Sequence, residues 1–172
     1  MTNDQPALAA GTWSLDGESS HARFTAATLG GLVKTPGHFR KLSGSLSIEP
    51  SGARGVLAID AASIDTGNRM RDRHLRTRDF FGVSKHPELR YELQTLTPLG
   101  PDTLRLDGQL TIAGTRTRLP LDAVLHVHSD TQVEISARTD VDRVALGVRG
   151  ARGMVPRTVE LDIRVTLRRN GG

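Results

Sequence analysis

The sequence predicts an all-β, antiparallel protein with one short helical insertion. Three observations carry this. Apolar and polar residues alternate with period 2 through about eight segments, short clusters of turn residues separate those segments, and the alternation fails once, between Thr66 and Lys85. A length of 172 residues fits one domain.

Residues Met1–Ala10 carry Asp4 and no basic side chain, and their one apolar run, Ala7–Ala10, falls short of a signal-peptide core. The expectation is a flexible arm over residues 1–11, a single domain over 12–169, and a cytoplasmic location. Strand patterns then follow in order. Ala22, Phe24 and Ala26 alternate with Arg23 and Thr25, and Leu46 and Ile48 with Ser45, Ser47 and Glu49. Leu57 and Ile59 form the next run, then Leu89, Tyr91 and Leu93, then Leu104, Leu106, Leu110 and Ile112 around Gly108. Leu121, Ala123, Leu125 and Val127 precede Val133, Ile135 and Ala137. Val159, Leu161, Ile163, Val165 and Leu167 close the chain with the cleanest alternation. The turns are marked by Gly30-Gly31, Pro36-Gly37, Pro50-Ser51-Gly52, Gly100-Pro101-Asp102, Ala113-Gly114 and Ser129-Asp130. A further strand near 141–148 is the weakest, because Asp142 and Arg143 break its pattern; Gly147, Gly150 and Gly153 suggest a flexible loop there. One apolar face per strand suits a closed barrel or a sandwich, and periodicity leaves both open.

In the exceptional segment, Met70, His74, Leu75 and Arg78 fall at helical spacing. Thr66 or Asn68 is placed to cap a helix over about 68–81, with Gly82 and Pro87 ending it.

Composition narrows the function. With no cysteine there are no disulfides, thiolate metal sites or cysteine nucleophiles. Aromatics are 3% of the chain, too few for a base-stacking platform, and no nucleic-acid partner is expected. No stretch is long and apolar enough for a membrane helix. The net charge of +4 comes from 23 basic and 19 acidic side chains and hints only weakly at an anionic partner.

The candidate chemical groups are sparse. Arg69, Arg71, Arg73, Arg76 and Arg78 could meet phosphate or an acidic membrane, but read better as a solvated helix face. His126 and His128 share one strand face, yet no third ligand is tied to them and their parity points outward; no metal is expected. Ser63, Asp65, Thr66 and His74 lack the strand–turn–helix elbow of a serine hydrolase, and no catalytic residue is assigned.

Around this helix the sequence takes on a recognisable form. Ala62-Ser63-Ile64-Asp65-Thr66, Arg71-Asp72-Arg73-His74-Leu75-Arg76, Asp79-Phe80-Phe81 and His86-Pro87-Glu88-Leu89 resemble the signature of the YceI-like family. The match extends to Trp13-Ser14-Leu15-Asp16, Gly37-His38-Phe39, Leu42-Ser43-Gly44 and Asp107–Thr115. The family's His-Ser pair is matched here by Ser19 and Ser20 with His21 following, one of its histidines by Thr28, and the tyrosine before its proline by His86. The resemblance implies an eight-stranded, lipocalin-like antiparallel barrel whose tunnel takes a polyisoprenoid or quinone-type lipid. It implies a non-enzymatic carrier or sequestering protein, with an enzyme acting on an isoprenoid or quinone-like substrate in the same cavity as the alternative. No cofactor beyond such a lipid is expected, and a homodimer is compatible.

Strand parity assigns the tunnel lining to Phe24, Phe39, Leu46, Ile48, Leu57, Ile59, Tyr91, Leu110, Ile112, Leu161 and Ile163. Phe80 and Phe81 follow the helix and are expected to close one end of the cavity, one facing the tunnel and the other packing under the helix. Arg71, Asp72, His74 and Asp79 are expected to form a hydrogen-bonded clasp that pins the helix to the barrel mouth.

Overall fold

A computed structural model of the chain describes residues 8–28, 32–150 and 156–171. Its strands are β1 (Gly11–Thr28), β2 (Val33–Phe39), β3 (Leu42–Glu49), β4 (Gly52–Asp60), β5 (Ile64–Asp65), β6 (Glu88–Pro98), β7 (Thr103–Ile112), β8 (Thr115–Arg118), β9 (Leu121–Ser129), β10 (Gln132–Asp142) and β11 (Thr158–Arg169). One α-helix, α1 (Arg69–Leu75), lies between β5 and β6.

Eight strands close on themselves in the order β1-β3-β4-β6-β7-β9-β10-β11, with β11 returning to β1. Every neighbouring pair is antiparallel. The closing register runs from Trp13 opposite Arg169 to Ala26 opposite Val159, so the fold is a barrel and not a sandwich. Three short strands extend the wall: β2 pairs with the second half of β1, β5 with β2, and β8 with β7.

β1 is long enough to serve two partners because it bends at a bulge. Its register against β11 jumps between Asp16 and His21. The Asp16 carboxylate gathers the extra residues, accepting hydrogen bonds from Glu18 N (3.2 Å), Ser19 Oγ (3.1 Å) and Arg168 Nη2 (3.0 Å). Ser20 Oγ donates to the Asp16 carbonyl at 2.6 Å and accepts from Thr166 N at 2.9 Å. Ser19 and Ser20 therefore knit the bulge to β11. The Arg168 hydrogen bond, against a smaller opposing effect of desolvation, holds the Asp16 carboxyl below its usual range.

The interior is filled from both ends. One apolar cluster lies under the helix and includes Phe39, Ile59, Ile64, Phe80, Leu110 and Ile112. The other contains Trp13, Leu46, Leu104, Ala123, Leu125 and Val133. Trp13 is fully buried and its Nε1 donates to Ala9 O at 3.0 Å, while Leu8 and Ala9 pack on the second cluster. The described part of the expected arm, residues 8–11, is thus tied to the barrel; residues 1–7 lie outside the described residues.

Four expectations need correction. The helix is α1 alone, ending at Leu75 and not near 81. Asn68 caps it, its Oδ1 accepting from Arg71 N at 3.0 Å. Beyond it the chain tightens into turns: Thr77 N bonds to His74 O, Phe81 N to Leu75 O, and Gly82 adopts φ +58°. The segment 141–148 is not a strand past Asp142. The Asp142 carboxylate accepts from Val144 N, Ala145 N and Arg157, and buried Arg143 donates to the carbonyls of Val148 and Gly150, both at 2.8 Å, and of Pro156 at 2.9 Å. Gly147, expected in a flexible loop, is packed closely, with φ +105° and no room for a Cβ beside Thr115 and the Ile112 carbonyl; Gly153 lies outside the described residues. Val127, placed inward by parity, is exposed, because the register of β9 against β10 shifts beside it and the hairpin tip projects past the apolar interior.

Candidate functional site

Between and through the two clusters runs an apolar lumen of about 180 Å³. Leu46 and Leu167 line it toward one end, Phe39, Ile59, Leu89 and Ile112 toward the other. Ten of the thirteen residues expected at the ligand site line it: Phe24, Phe39, Leu46, Leu57, Ile59, Tyr91, Leu110, Ile112, Leu161 and Ile163. They come from seven different strands, and their common parity brings them together.

Ile48, Phe80 and Phe81 are not among the lining residues. Ile48 sits opposite Ala53 beside the β3–β4 turn and packs on the cluster around Trp13, beyond the end of the lumen. Because the helix stops at Leu75, the chain turns back before the two phenylalanines. Phe80 is buried under the helix, its ring edge-on to His74 at 5.0 Å between centroids. Phe81 meets Phe39 edge-on at 5.7 Å and so touches the lumen only through it.

The expected lining left out part of the wall. Leu15, Leu96, Leu106, Leu119, Leu121, Ile135 and Thr139 also line the lumen. Thr139 carried a signal in the sequence, since it continues the inward series of Val133, Ile135 and Ala137.

Polar groups in the lumen are few. Tyr91 Oη donates to the Leu119 carbonyl at 2.9 Å. Its ring is accommodated by Gly108, where a Cβ would fall 2.6 Å from Tyr91 Cζ and 2.5 Å from the Glu92 carbonyl. Burial, with a smaller effect of the Asp107 charge, pushes the Tyr91 phenol up to about 12. Thr139 Oγ1 makes only a long contact, 3.4 Å, to the Asp140 carbonyl.

The helix clasp exists in an altered form. Asp72 is buried and accepts from Thr66 N (2.9 Å) and Thr66 Oγ1 (2.6 Å). Arg71 donates from Nε to Thr66 Oγ1 (2.8 Å) and from Nη2 to Thr66 O (2.9 Å), so Thr66 joins the two instead of a direct Arg–Asp pair. Arg76 adds bonds to Ala62 O (3.0 Å) and Ile64 O (3.3 Å). His74 contributes its stack on Phe80. Asp79 is exposed, and its carboxylate takes no hydrogen bond among the described residues.

The groups weighed as hydrolytic are each committed to structure. Ser63 Oγ donates to Asp60 O at 2.6 Å and accepts from Arg40 N and Lys41 N. Asp65 accepts from Gly67 N at 2.8 Å and pairs with Arg40, which together hold its carboxyl below the usual range. His126 and His128 are exposed on the outer face of β9. Of the positions that depart from the family pattern, His21 is partly buried with its enclosed Nε2 3.9 Å from Asp162, its pKa lowered by burial and then by Arg23, and His86 lies over the backbone of Gly114.

The model of the YceI-like domain matches residues 13–167, nearly the whole barrel. The chain belongs to the YceI-like family. Among curated relatives of this YceI-like protein, a UPF0312 protein of Azotobacter vinelandii is 33% identical over 81 residues, which cover 45% of this chain and 42% of the relative. A UPF0312 protein of Shewanella baltica is 28% identical over 121 residues, 68% of this chain and 63% of the relative. The matched stretches thus span less than two thirds of these relatives' length. Among solved structures, BcnA of Burkholderia cenocepacia superposes with a TM-score of 0.80 at 20% identity, covering 88% of this chain and 98% of that one. A polyisoprenoid binding domain from Saccharophagus degradans gives 0.79 at 17% identity, covering 92% and 98%. At these identities the structures establish a shared barrel.

Proposed function

We propose that this YceI-like barrel binds a long apolar lipid of the polyisoprenoid or isoprenoid-quinone type in its lumen and carries or sequesters it without chemical change. The observation that carries the reading is the wall itself, drawn from strands all around the barrel and made almost wholly of Leu, Ile, Val, Phe and Ala side chains. Such a wall recognises hydrocarbon and little else. Each buried CH₂ contributes about 0.8 kcal/mol before the cost of ordering the chain. The polyisoprenoid binding domain from Saccharophagus degradans, which shares the fold, points to the same ligand class.

Native mass spectrometry of the protein, first as purified and then stripped and reloaded with a polyprenol and a ubiquinone, tests this. Adducts whose masses correspond to intact isoprenoid chains, recovered unchanged, are expected. Failure to retain either lipid would overturn the reading, and conversion of the bound lipid to a product would replace carriage by catalysis.

A further inference from the structure

The strand registers leave an opening in the side of the barrel. β9 pairs with β10 only from Ser129 opposite Gln132 to Val124 opposite Ser136. Above that point β10 continues through Ala137 to Asp142 with β11 on one side and no strand on the other. The chain that would have continued the wall, β8, pairs with β7 alone. No ladder joins β8 to β10 among the described residues.

This gap is framed. Its lower sill is the Ser136–Val124 pair. Its upper end is closed by the turn after β10, where Gly147 lies directly against Thr115 Oγ1 and the Ile112 carbonyl. One jamb carries Leu119 and Leu121, the other Ala137 and Thr139, and all four line the lumen. The apolar space therefore lies directly behind this unpaired stretch of wall.

The rims also hold two hydroxyl groups. On the β8 side, Tyr91 Oη is fixed to the Leu119 carbonyl. On the β10 side stands Thr139 Oγ1. The Tyr91 donor is already committed, and Thr139 directs its own toward Asp140 O. Both oxygens retain lone pairs, so each can accept a hydrogen bond from a ligand hydroxyl.

We infer that the gap between β8 and β10 is the doorway of the lumen and that Tyr91 and Thr139 hold there the neutral, hydroxyl-bearing end of the lipid, an alcohol or phenol. This rests on the lipid-binding reading above and specifies which end chemistry the site selects. The cations bordering the gap, Arg116, Arg118 and Arg138, are paired with Glu92, Asp107 and Asp162, and burying a diphosphate's charge beside two hydroxyls is unfavourable.

The test uses three probes with one chain: geranylgeraniol, geranylgeranyl diphosphate and the corresponding hydrocarbon. Affinities are measured for the wild type, Thr139→Val, Tyr91→Phe and the double variant, with melting temperature as the folding control. The wild type should favour the alcohol over the hydrocarbon by about tenfold, the worth of one good neutral hydrogen bond, and over the diphosphate by more. Thr139→Val and Tyr91→Phe should each shrink the preference for the alcohol, and the double variant should erase it while hydrocarbon binding persists. Thr139→Val is nearly isosteric and keeps the test open if Tyr91→Phe folds poorly. Equal wild-type affinity for alcohol and hydrocarbon, a preference for the diphosphate, or a preference untouched by both substitutions would overturn the assignment. Failure to bind even the hydrocarbon would instead sink the lipid-binding reading.

Discussion

Tyr91 is the one tyrosine in the chain, so its phenol titrates without background. Burial is the first cause of its raised pKa, about 12, and the Asp107 charge the second. An absorbance titration of the folded protein should show a midpoint near that value, moving back to about 10 in denaturant. The unfolded chain loses this proton first. The contribution to stability is therefore fully present below about pH 10 and is lost as pH rises from there through about 12. A folded-state midpoint near 10 would mean that the ring is not held in the apolar wall. The same residue shows why the sequence was informative at this position. Its parity with Leu89 and Leu93 placed it inward. Its bond to Leu119 O and the recess at Gly108 depend on strand register, which alternation does not encode.

At the level of elements, the helix is pinned by a hydrogen-bonded unit and not by apolar area, since α1 is short and Asp72 is its one buried residue. Asp72→Ala leaves Thr66 N and Oγ1 without their acceptor and should cost about 1–3 kcal/mol. Arg73→Ala removes an exposed side chain with no partner among the described residues and should stay within about 0.5 kcal/mol. Urea midpoints of the two variants check this, and equal losses would show that Asp72 does not organise the segment. The contrast marks the limit of legibility here. The break in alternation located the helix and its Arg–Asp–His chemistry, because a change of period is a strong local signal. Its end was hidden: Arg76, Thr77 and Arg78 suit a helix by composition, and only bonds such as Thr77 N to His74 O and Phe81 N to Leu75 O reveal the turns. The doorway was hidden for a related reason. Thr115–Arg118 holds no apolar residue and stands before the run that begins at Leu121, and nothing local states that it forms a strand with a partner on one side only.

For the whole molecule, side chains and the proposed lipid compete for the same space. Closure of β1 on β11 fixes the lumen's width, and the two apolar clusters pack toward its ends with an apolar space between them. A side chain that fills this middle should stabilise the empty protein and exclude the lipid. Ala137 lines the lumen and is only half-buried, so there is room beyond its Cβ. Ala137→Leu adds three carbons, worth about 2 kcal/mol if they are buried without strain. In a domain of this size that should raise the melting temperature of the lipid-free protein by about 4 °C or more. A polyprenol, by contrast, should raise the wild-type melting temperature in proportion to the logarithm of its concentration above Kd and leave that of Ala137→Leu nearly unchanged. Scanning calorimetry of both proteins, stripped and reloaded, separates the possibilities. A lower melting temperature in the empty variant would show that the site is already packed and that the leucine is forced into strain. Undiminished stabilisation by lipid in the variant would show that the chain is held elsewhere than in the lumen.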